Sequence, residues 1–476
     1  MQTARDRQLG GARLYPLSPM FSLPGKTSGS HRASEARPTA PPGKRKVLRG
    51  TTHDERVRFW VLFTAGAVFI LGGFFWFTSA RILGETFELD YGPESPVFAQ
   101  SMGPLLGAEF VGGNTVKTLI NGDAFFPEML KAISEAKKTI TLETYIWAPG
   151  RVSDRFVAAL KERARAGVRV HVLVDGMGTL KLKDEMKDDL TAAGVEFLKY
   201  GREHWYVVKP NINHRTHRKL LVIDGKVGFT GGMCIDDHWE GNANSPKVWR
   251  ETVVRVEGPA VRQMQAVFAG NWMRTTSRLL VGPDYFPRAD VLLGSSLLQC
   301  VKSGPNDSPE NVRVLNMLAI AGARHSIKIE NAYFVPDDLA VEMLLAAVRR
   351  GVEVEVIVPA INDSRFGRAA SRSRWGKLLA AGAKFYQFQP SMLHCKSIIV
   401  DGIFVSVGSA NFDNRSFAIN DEVNLNVLDR AVAAEHERIF AADRKRSEPL
   451  TLEQYESRPR WQKWIDRFCG MFRSQL

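Results

Sequence analysis

At 476 residues the chain is too long for one small core, and 44% hydrophobic with 24% charged residues excludes a disordered polymer. The formal charge of +13 invites a nucleic-acid reading, but residues 1–58 hold 12 Lys/Arg against 4 Asp/Glu and residues 444–476 hold 8 against 4. The two ends therefore carry +8 and +4 and leave about +1 for the body between them, which lacks the basic footprint of a duplex-binding surface. Cys234, Cys300, Cys395 and Cys469 form no C-x2-C pair, so neither a zinc site nor a disulfide framework is indicated and free thiols are expected.

Residues 1–56 form a basic segment whose first 50 residues hold six prolines without a period, the composition of a disordered tail. From Phe59 to Ala80 there follow 22 residues without a charge. A helix of that length covers about 30 Å of hydrocarbon, and Trp60 and Trp76 lie where interfacial rings prefer to sit, so 57–80 is expected to be a transmembrane helix. Lys44-Arg45-Lys46, His53, Arg56 and Arg58 precede it, while Glu85, Glu88 and Asp90 follow Arg81. That asymmetry predicts a single-pass protein with a cytoplasmic N-terminus and the folded body on the opposite side, reached through a linker over 81–113.

The remainder repeats itself. Lys137–Trp147 (KKTITLETYIW) resembles Arg324–Phe334 (RHSIKIENAYF), and ARAGVRVHVLVDG from Ala164 resembles VRRGVEVEVIVPA from Val348. Each copy offers a helix (Ala124–Ala136 or Val312–Ala323), a strand, an amphipathic helix ending at Gly167 or Gly351, and an apolar strand (Val168–Val174 or Val352–Val358). Strands alternating with helices predict parallel βαβ units, hence an α/β sheet in each half.

The same order leads to His217-Arg218-Lys219-Leu220-Leu221-Val222-Ile223-Asp224 and His394-Cys395-Lys396-Ser397-Ile398-Ile399-Val400-Asp401, two copies of H-x-K-x4-D. Each is followed, after the same interval, by a small pair, Gly231-Gly232 or Gly408-Ser409. Two chance copies in a chain of this composition have a probability on the order of 0.001. On a strand, residues i and i+2 share a face, so His217 points with Lys219 and His394 with Lys396. Asp224 and Asp401 fall at D-G hairpin turns, where a structural hydrogen-bonding role suits them better than attack.

These paired motifs resemble the phospholipase D superfamily over about residues 114–443, and the N-terminal anchor adds a similarity to bacterial cardiolipin synthases. The resemblance implies two pseudo-twofold-related α/β/α sandwich halves, 114–280 and 281–443, sharing one active site, in a bacterial inner-membrane protein. It also implies phosphodiester transfer, in which one imidazole attacks phosphorus and the other protonates the leaving oxygen and later deprotonates the incoming alcohol. The motifs are equivalent, so spacing does not assign the roles; His217 is taken as nucleophile and His394 as acid/base. Lys219 and Lys396 would supply positive charge, and neither metal nor other cofactor is expected. Ser409 and Asn411 match the family's oxygen-binding G-S-x-N segment, and Glu251 and Glu422 match the acids that orient the histidines. Cys234 stands where Asn411 stands in the second half, which puts a symmetric set of phosphate contacts in doubt.

In the basic tail 444–476, Trp461, Trp464, Ile465, Phe468 and Phe472 recur at helical spacing between Gln462, Lys463, Asp466, Arg467 and Arg473. Such a helix lies in an anionic membrane interface or docks its stripe on the protein core. The expected partners are a membrane and an anionic phospholipid, phosphatidylglycerol by resemblance, with no nucleic acid and no oligomeric state indicated. Three reactions stay open: phosphatidyl transfer between two phosphatidylglycerols, hydrolysis to phosphatidic acid, and, least favoured, nucleic-acid cleavage.

Overall fold

The computed structural model describes residues 53–77, 86–201, 213–288 and 292–475. The N-terminal segment 1–52 lies outside the described residues. Helix His53–Phe77 takes up most of the apolar run, whose side chains from 72 to 77 and whose last residues, 78–80, also lie outside them. Among the described residues no helix is long and apolar enough to cross a membrane.

The body is built twice on one strand order. The first half contributes β1 (Val111–Ile120), β2 (Thr139–Thr144), β3 (Arg169–Asp175), β4 (Glu196–Tyr200), β5 (Leu220–Ile223), β6 (Val227–Gly231) and β7 (Thr252–Glu257). They lie in the order β1-β7-β6-β5-β2-β3-β4. The second half contributes β8 (Ser296–Ser303), β9 (Ser326–Asn331), β10 (Glu353–Pro359), β11 (Lys384–Phe388), β12 (Lys396–Val400), β13 (Phe404–Gly408) and β14 (Glu422–Leu428). Their order, β8-β14-β13-β12-β9-β10-β11, is the same, and β15 (Ser447–Leu450) adds one strand at the β11 edge. β1 and β8 pair antiparallel through a register shift between Val111 and Asn114, which joins the halves into one sheet.

Within each half β2-β3-β4 and β9-β10-β11 are parallel, and the remaining neighbours are antiparallel. The parallel strands are followed by helices whose apolar residues face the sheet at helical spacing. In Arg151–Arg165, Val152, Phe156 and Leu160 are fully buried, worth on the order of 2 kcal/mol each for the larger two. A separate core lies between the halves, where Leu220, Val222 and Val254 meet Ile399, Val407 and Leu425. Helices Val261–Thr276 and Arg430–Lys445 pack into the same layer, so each half of the sheet carries helices on both faces.

Two segments outside the repeat belong to the body. Helix Pro96–Leu106, in the stretch read as a linker, buries Phe98, Met102 and Leu106 in the second half's core. In the tail, β15 pairs with β11 and helix Arg460–Gly470 packs on helix Arg365–Ala381. All four cysteines are free and buried.

Candidate active site

Each H-x-K motif begins just before a strand that runs antiparallel to its neighbour: β5 against β2, β12 against β9. Its histidine therefore lies at the carboxyl ends of the parallel strands, the edge where α/β sheets place their ligands. The approach to each motif is bridged to the other half. Thr216 pairs with Asp421 and Leu393 with Arg250, so that the His217 amide donates to the Asp421 carbonyl (2.9 Å) and the His394 amide to the Arg250 carbonyl (2.8 Å).

The two bridges put each acid on the opposite half's histidine. His217 Nδ1 lies 2.9 and 3.0 Å from the carboxylate oxygens of Glu422, and His394 Nδ1 lies 2.7 Å from Glu251 Oε2. An N–H held at Nδ1 leaves the Nε2 lone pair of His217 available for attack and that of His394 available to take up a proton. Lys219 and Lys396 fold back so that each ammonium donates to the carbonyl of its own motif's histidine at 2.5 Å. Lys396 Nζ is also 3.2 Å from His394 Nε2. Two imidazoles and two ammonium groups thus share one buried place.

Burial sets the protonation states. It pulls the His217 imidazole down to about 4 despite Glu422, and, with Lys396 and Lys219, holds His394 well below the usual histidine range. It also lowers Lys219 to about 8. The acids differ. Burial would raise Glu422, but His217, Lys219 and the Ser409 hydroxyl outweigh it and keep the carboxylate ionised. Burial prevails at Glu251, which rises to about 7.

His217 makes the largest part of that difference and Lys219 adds to it; one small residue contributes as well. Ser409 Oγ donates to Glu422 Oε2 at 2.5 Å, whereas its counterpart Gly232 has no side chain, and a Cβ there would sit 2.3 Å from Glu251 Oε2. Glu251 is instead approached by the Trp239 indole N–H at 3.4 Å and the Thr252 amide at 2.9 Å. Gly231 and Gly408 permit close strand packing: a Cβ would meet the Thr252 carbonyl at 2.5 Å and the Val423 carbonyl at 2.3 Å. Of the five residues taken as substrate-binding, then, four are engaged with the protein itself. Asn411 is the exception, its buried Oδ1 having no partner among the described residues. Cys234 is buried near Lys219, and burial pushes its thiol up, so it stands as a neutral group.

Asp224 and Asp401 are not brought to the histidines. They sit seven residues on, about 20 Å of extended chain away. Asp224 accepts from the backbone N–H groups of Lys137, Lys138 and Thr139 at 2.7–2.9 Å, and Asp401 from those of Arg324, His325 and Ser326 at 2.7–2.8 Å. Both have left-handed backbones (φ 52° and 51°) and close the hairpins while tying down the entry to β2 and β9.

Three aromatic residues at the site were not found in the sequence. Tyr145 lies edge-on to His217 (5.1 Å between centroids), with Lys219 Nζ 5.3 Å from its ring centre. Trp249 stacks on His394 and Trp239 meets it edge-on, both at 5.1 Å. One signal was available: the repeat breaks at Tyr145, which aligns with Ala332.

Comparison with known proteins follows this geometry. The family described as cardiolipin synthase, PLD-like domain, matches residues 129–272 and 317–444, one stretch in each half. The chain belongs to this family. A cardiolipin synthase of Geobacillus kaustophilus is 35% identical over 72% of the chain and 68% of its own length. Cardiolipin synthase 1 of Bacillus cereus is 30% identical over 75% of the chain and 72% of its own length. The crystal structure of phosphatidylserine synthase from Haemophilus influenzae shares the fold, with a TM-score of 0.59 at 14% identity over 80% of the chain and all of that structure. The protein is therefore an enzyme of the phospholipase D superfamily, a cardiolipin synthase-like phosphatidyltransferase, with a mixed α/β fold built on one large sheet.

Proposed function

We propose that this enzyme transfers a phosphatidyl group from one phosphatidylglycerol to the headgroup alcohol of another, releasing glycerol. One observation carries the reading: each histidine is held by an acid from the opposite half, so both motifs serve a single site. His394 takes up a proton on Nε2 as the anionic phosphodiester binds; His217 Nε2 then attacks phosphorus, the P–O bond to the departing glycerol breaks, and His394 delivers that proton to the leaving oxygen. The phosphohistidine then accepts the second lipid's hydroxyl, whose proton returns to His394 as the P–N bond breaks. Lys219 and Lys396 face the non-bridging oxygens, whose charge they stabilise in a site shielded from water.

The acids support this assignment. An ionised Glu422 stabilises a His217 that becomes cationic on phosphorylation. Glu251, poised near neutrality, supports a His394 that must both give and take a proton. The apolar run and its charge asymmetry support a single membrane span over 57–80 with a cytoplasmic N-terminus and the body across a bacterial inner membrane.

The test is product analysis with the purified full chain and phosphatidylglycerol. Cardiolipin plus glycerol is expected; phosphatidic acid alone makes the enzyme a hydrolase. A reaction quenched in detergent at alkaline pH, where the P–N bond survives, should trap radiolabelled phosphorus on histidine; the label should be absent in His217→Ala, and His394→Ala should slow both its formation and its turnover. A chelator should leave the rate unchanged if the lysines carry the charge.

A further inference from the structure

Helix Arg460–Gly470 meets the body with its narrow polar side. Asp466 is buried and ion-paired with Arg372 (2.8 Å) and Arg458 (2.6 Å). Cys469 joins a small cluster with Val335, Ala369 and Ala370. Gly470 lies so near Ser373 that a Cβ would come within 2.5 Å of its hydroxyl. The aromatic stripe faces the other way. Trp461, Trp464 and Met471 are each 66% exposed, Phe468 39% and Ile465 38%. A stripe of this size turned outward is unlike ordinary scattered surface residues and marks an interaction surface.

The end of this helix is tied to the mouth of the active site. Phe472 contacts Phe366, which opens the helix after β10. The Ser474 carbonyl accepts from Asn414 (2.8 Å), the Gln475 carbonyl from Arg415 (3.2 Å), and the Gln475 side chain from Asn213 (3.3 Å). Asn213 precedes His217 by four residues and Asn414 follows Asn411 by three, so the C-terminus bridges both halves beside the site. The segments that follow the strands on this same sheet edge add exposed apolar side chains from each half: Met177 and Leu180 after β3, Ile361 and the helical Phe366 after β10.

Charge identifies the occupant. Of the five Lys/Arg between residues 458 and 473, Arg458 pairs with Asp466, the one acid of the stretch, and Arg473 pairs with Asp338, which leaves Arg460, Lys463 and Arg467 as the local excess of positive charge. Outward tryptophan and phenylalanine interleaved with Lys463 and Arg467 fit the headgroup boundary of an anionic bilayer.

We propose that the C-terminal helix lies in the surface of an anionic bilayer and holds the active-site mouth against it, so that a phospholipid enters without crossing water. The proposal rests on the lipid-transfer reading for its substrate and on exposure and charge for the surface itself.

The test uses the full chain reconstituted in vesicles of phosphatidylglycerol and phosphatidylethanolamine. Lipids brominated near the top of the acyl chain should quench tryptophan fluorescence in the wild type, and W461F/W464F should lose a distinct part of that quenching. W461S/W464S/F468S should turn over vesicle phosphatidylglycerol at least tenfold more slowly, yet act on a dispersed short-chain phosphatidylglycerol within twofold of the wild type. Should that variant misfold, R460E/K463E/R467E is expected to give the same split. Equal quenching in wild type and W461F/W464F, or equal loss on both substrates, overturns the proposal, as does a variant that converts a dimer to a monomer. A wild type inactive on both forms of phosphatidylglycerol sinks the transfer reading instead, while quenching still reports on the surface.

Discussion

Nδ1 of His217 is 2.9 Å from Glu422, a residue 205 positions later in the other half, and His394 makes the reciprocal contact with Glu251 across 143 positions. Neither half holds a complete histidine–acid pair. Each acid should therefore disable the motif to which it is not adjacent in sequence. Glu422→Gln is expected to lower kcat by about 10²–10⁴-fold, by analogy with other acid-oriented histidines, with KM little changed. Rapid quench should show slowed formation of the phosphohistidine; normal formation with slowed breakdown would place Glu422 with the wrong step.

Asp224 and Asp401 should matter to folding rather than chemistry. Each carboxylate satisfies three backbone N–H groups, so Asp224→Ala should cost about 2–4 kcal/mol of stability, seen as a lower denaturation midpoint. The fraction that stays folded should keep a kcat near wild type. A collapse of kcat at unchanged stability would return this residue to the chemistry.

Gly232 and Ser409 occupy equivalent places with opposite tolerances. Gly232→Ala would force Glu251 from its position, since the new Cβ would fall 2.3 Å from its carboxylate. Ser409→Ala only removes one donor to Glu422. Steady-state rates should fall further for Gly232→Ala, although it is the smaller chemical change. The reverse ranking would contradict the geometry.

Glu251 predicts a pH dependence of stability. Its carboxyl rises from 4.5 to about 7 in the fold, so folding favours the protonated form. The associated stability is fully present below pH 4.5 and is lost as pH rises through 7. His217 acts oppositely: lowered from 6.5 to about 4, it adds stability above pH 6.5 that is lost as pH falls toward 4. Between pH 4.5 and 6.5 these two contributions oppose each other. Glu251→Gln should remove one slope and gain stability relative to wild type from pH 4.5 to 7, by at most about 3 kcal/mol. Denaturant titrations across that range decide it, and parallel profiles would show that Glu251 is ionised in the fold.

Much of the fold was legible because it is repeated. Helices expected at Ala124–Ala136 and Val312–Ala323 form at Gly122–Ser134 and Asn311–Gly322, and the expected apolar strands form as β3 and β10. Local periodicity encodes such elements, since a buried face must recur every two or 3.6 residues. Helix Pro96–Leu106 was missed because its 11 residues hold Pro104 and a Gly, which weaken the helical signal, and its burial depends on a core two hundred residues away.

The paired H-x-K-x4-D motifs pointed to the reaction class through the family resemblance they carry, and they determined the groups at the centre, because an imidazole and an ammonium two residues apart on a strand must share a face. Only the tertiary structure decided which acid serves which histidine, because strand pairing between distant segments leaves no local pattern. It also decided which side of the C-terminal helix meets the protein. Periodicity revealed the aromatic stripe, but the Asp466 ion pairs with Arg372 and Arg458 hold the polar side inward and turn the aromatic one out.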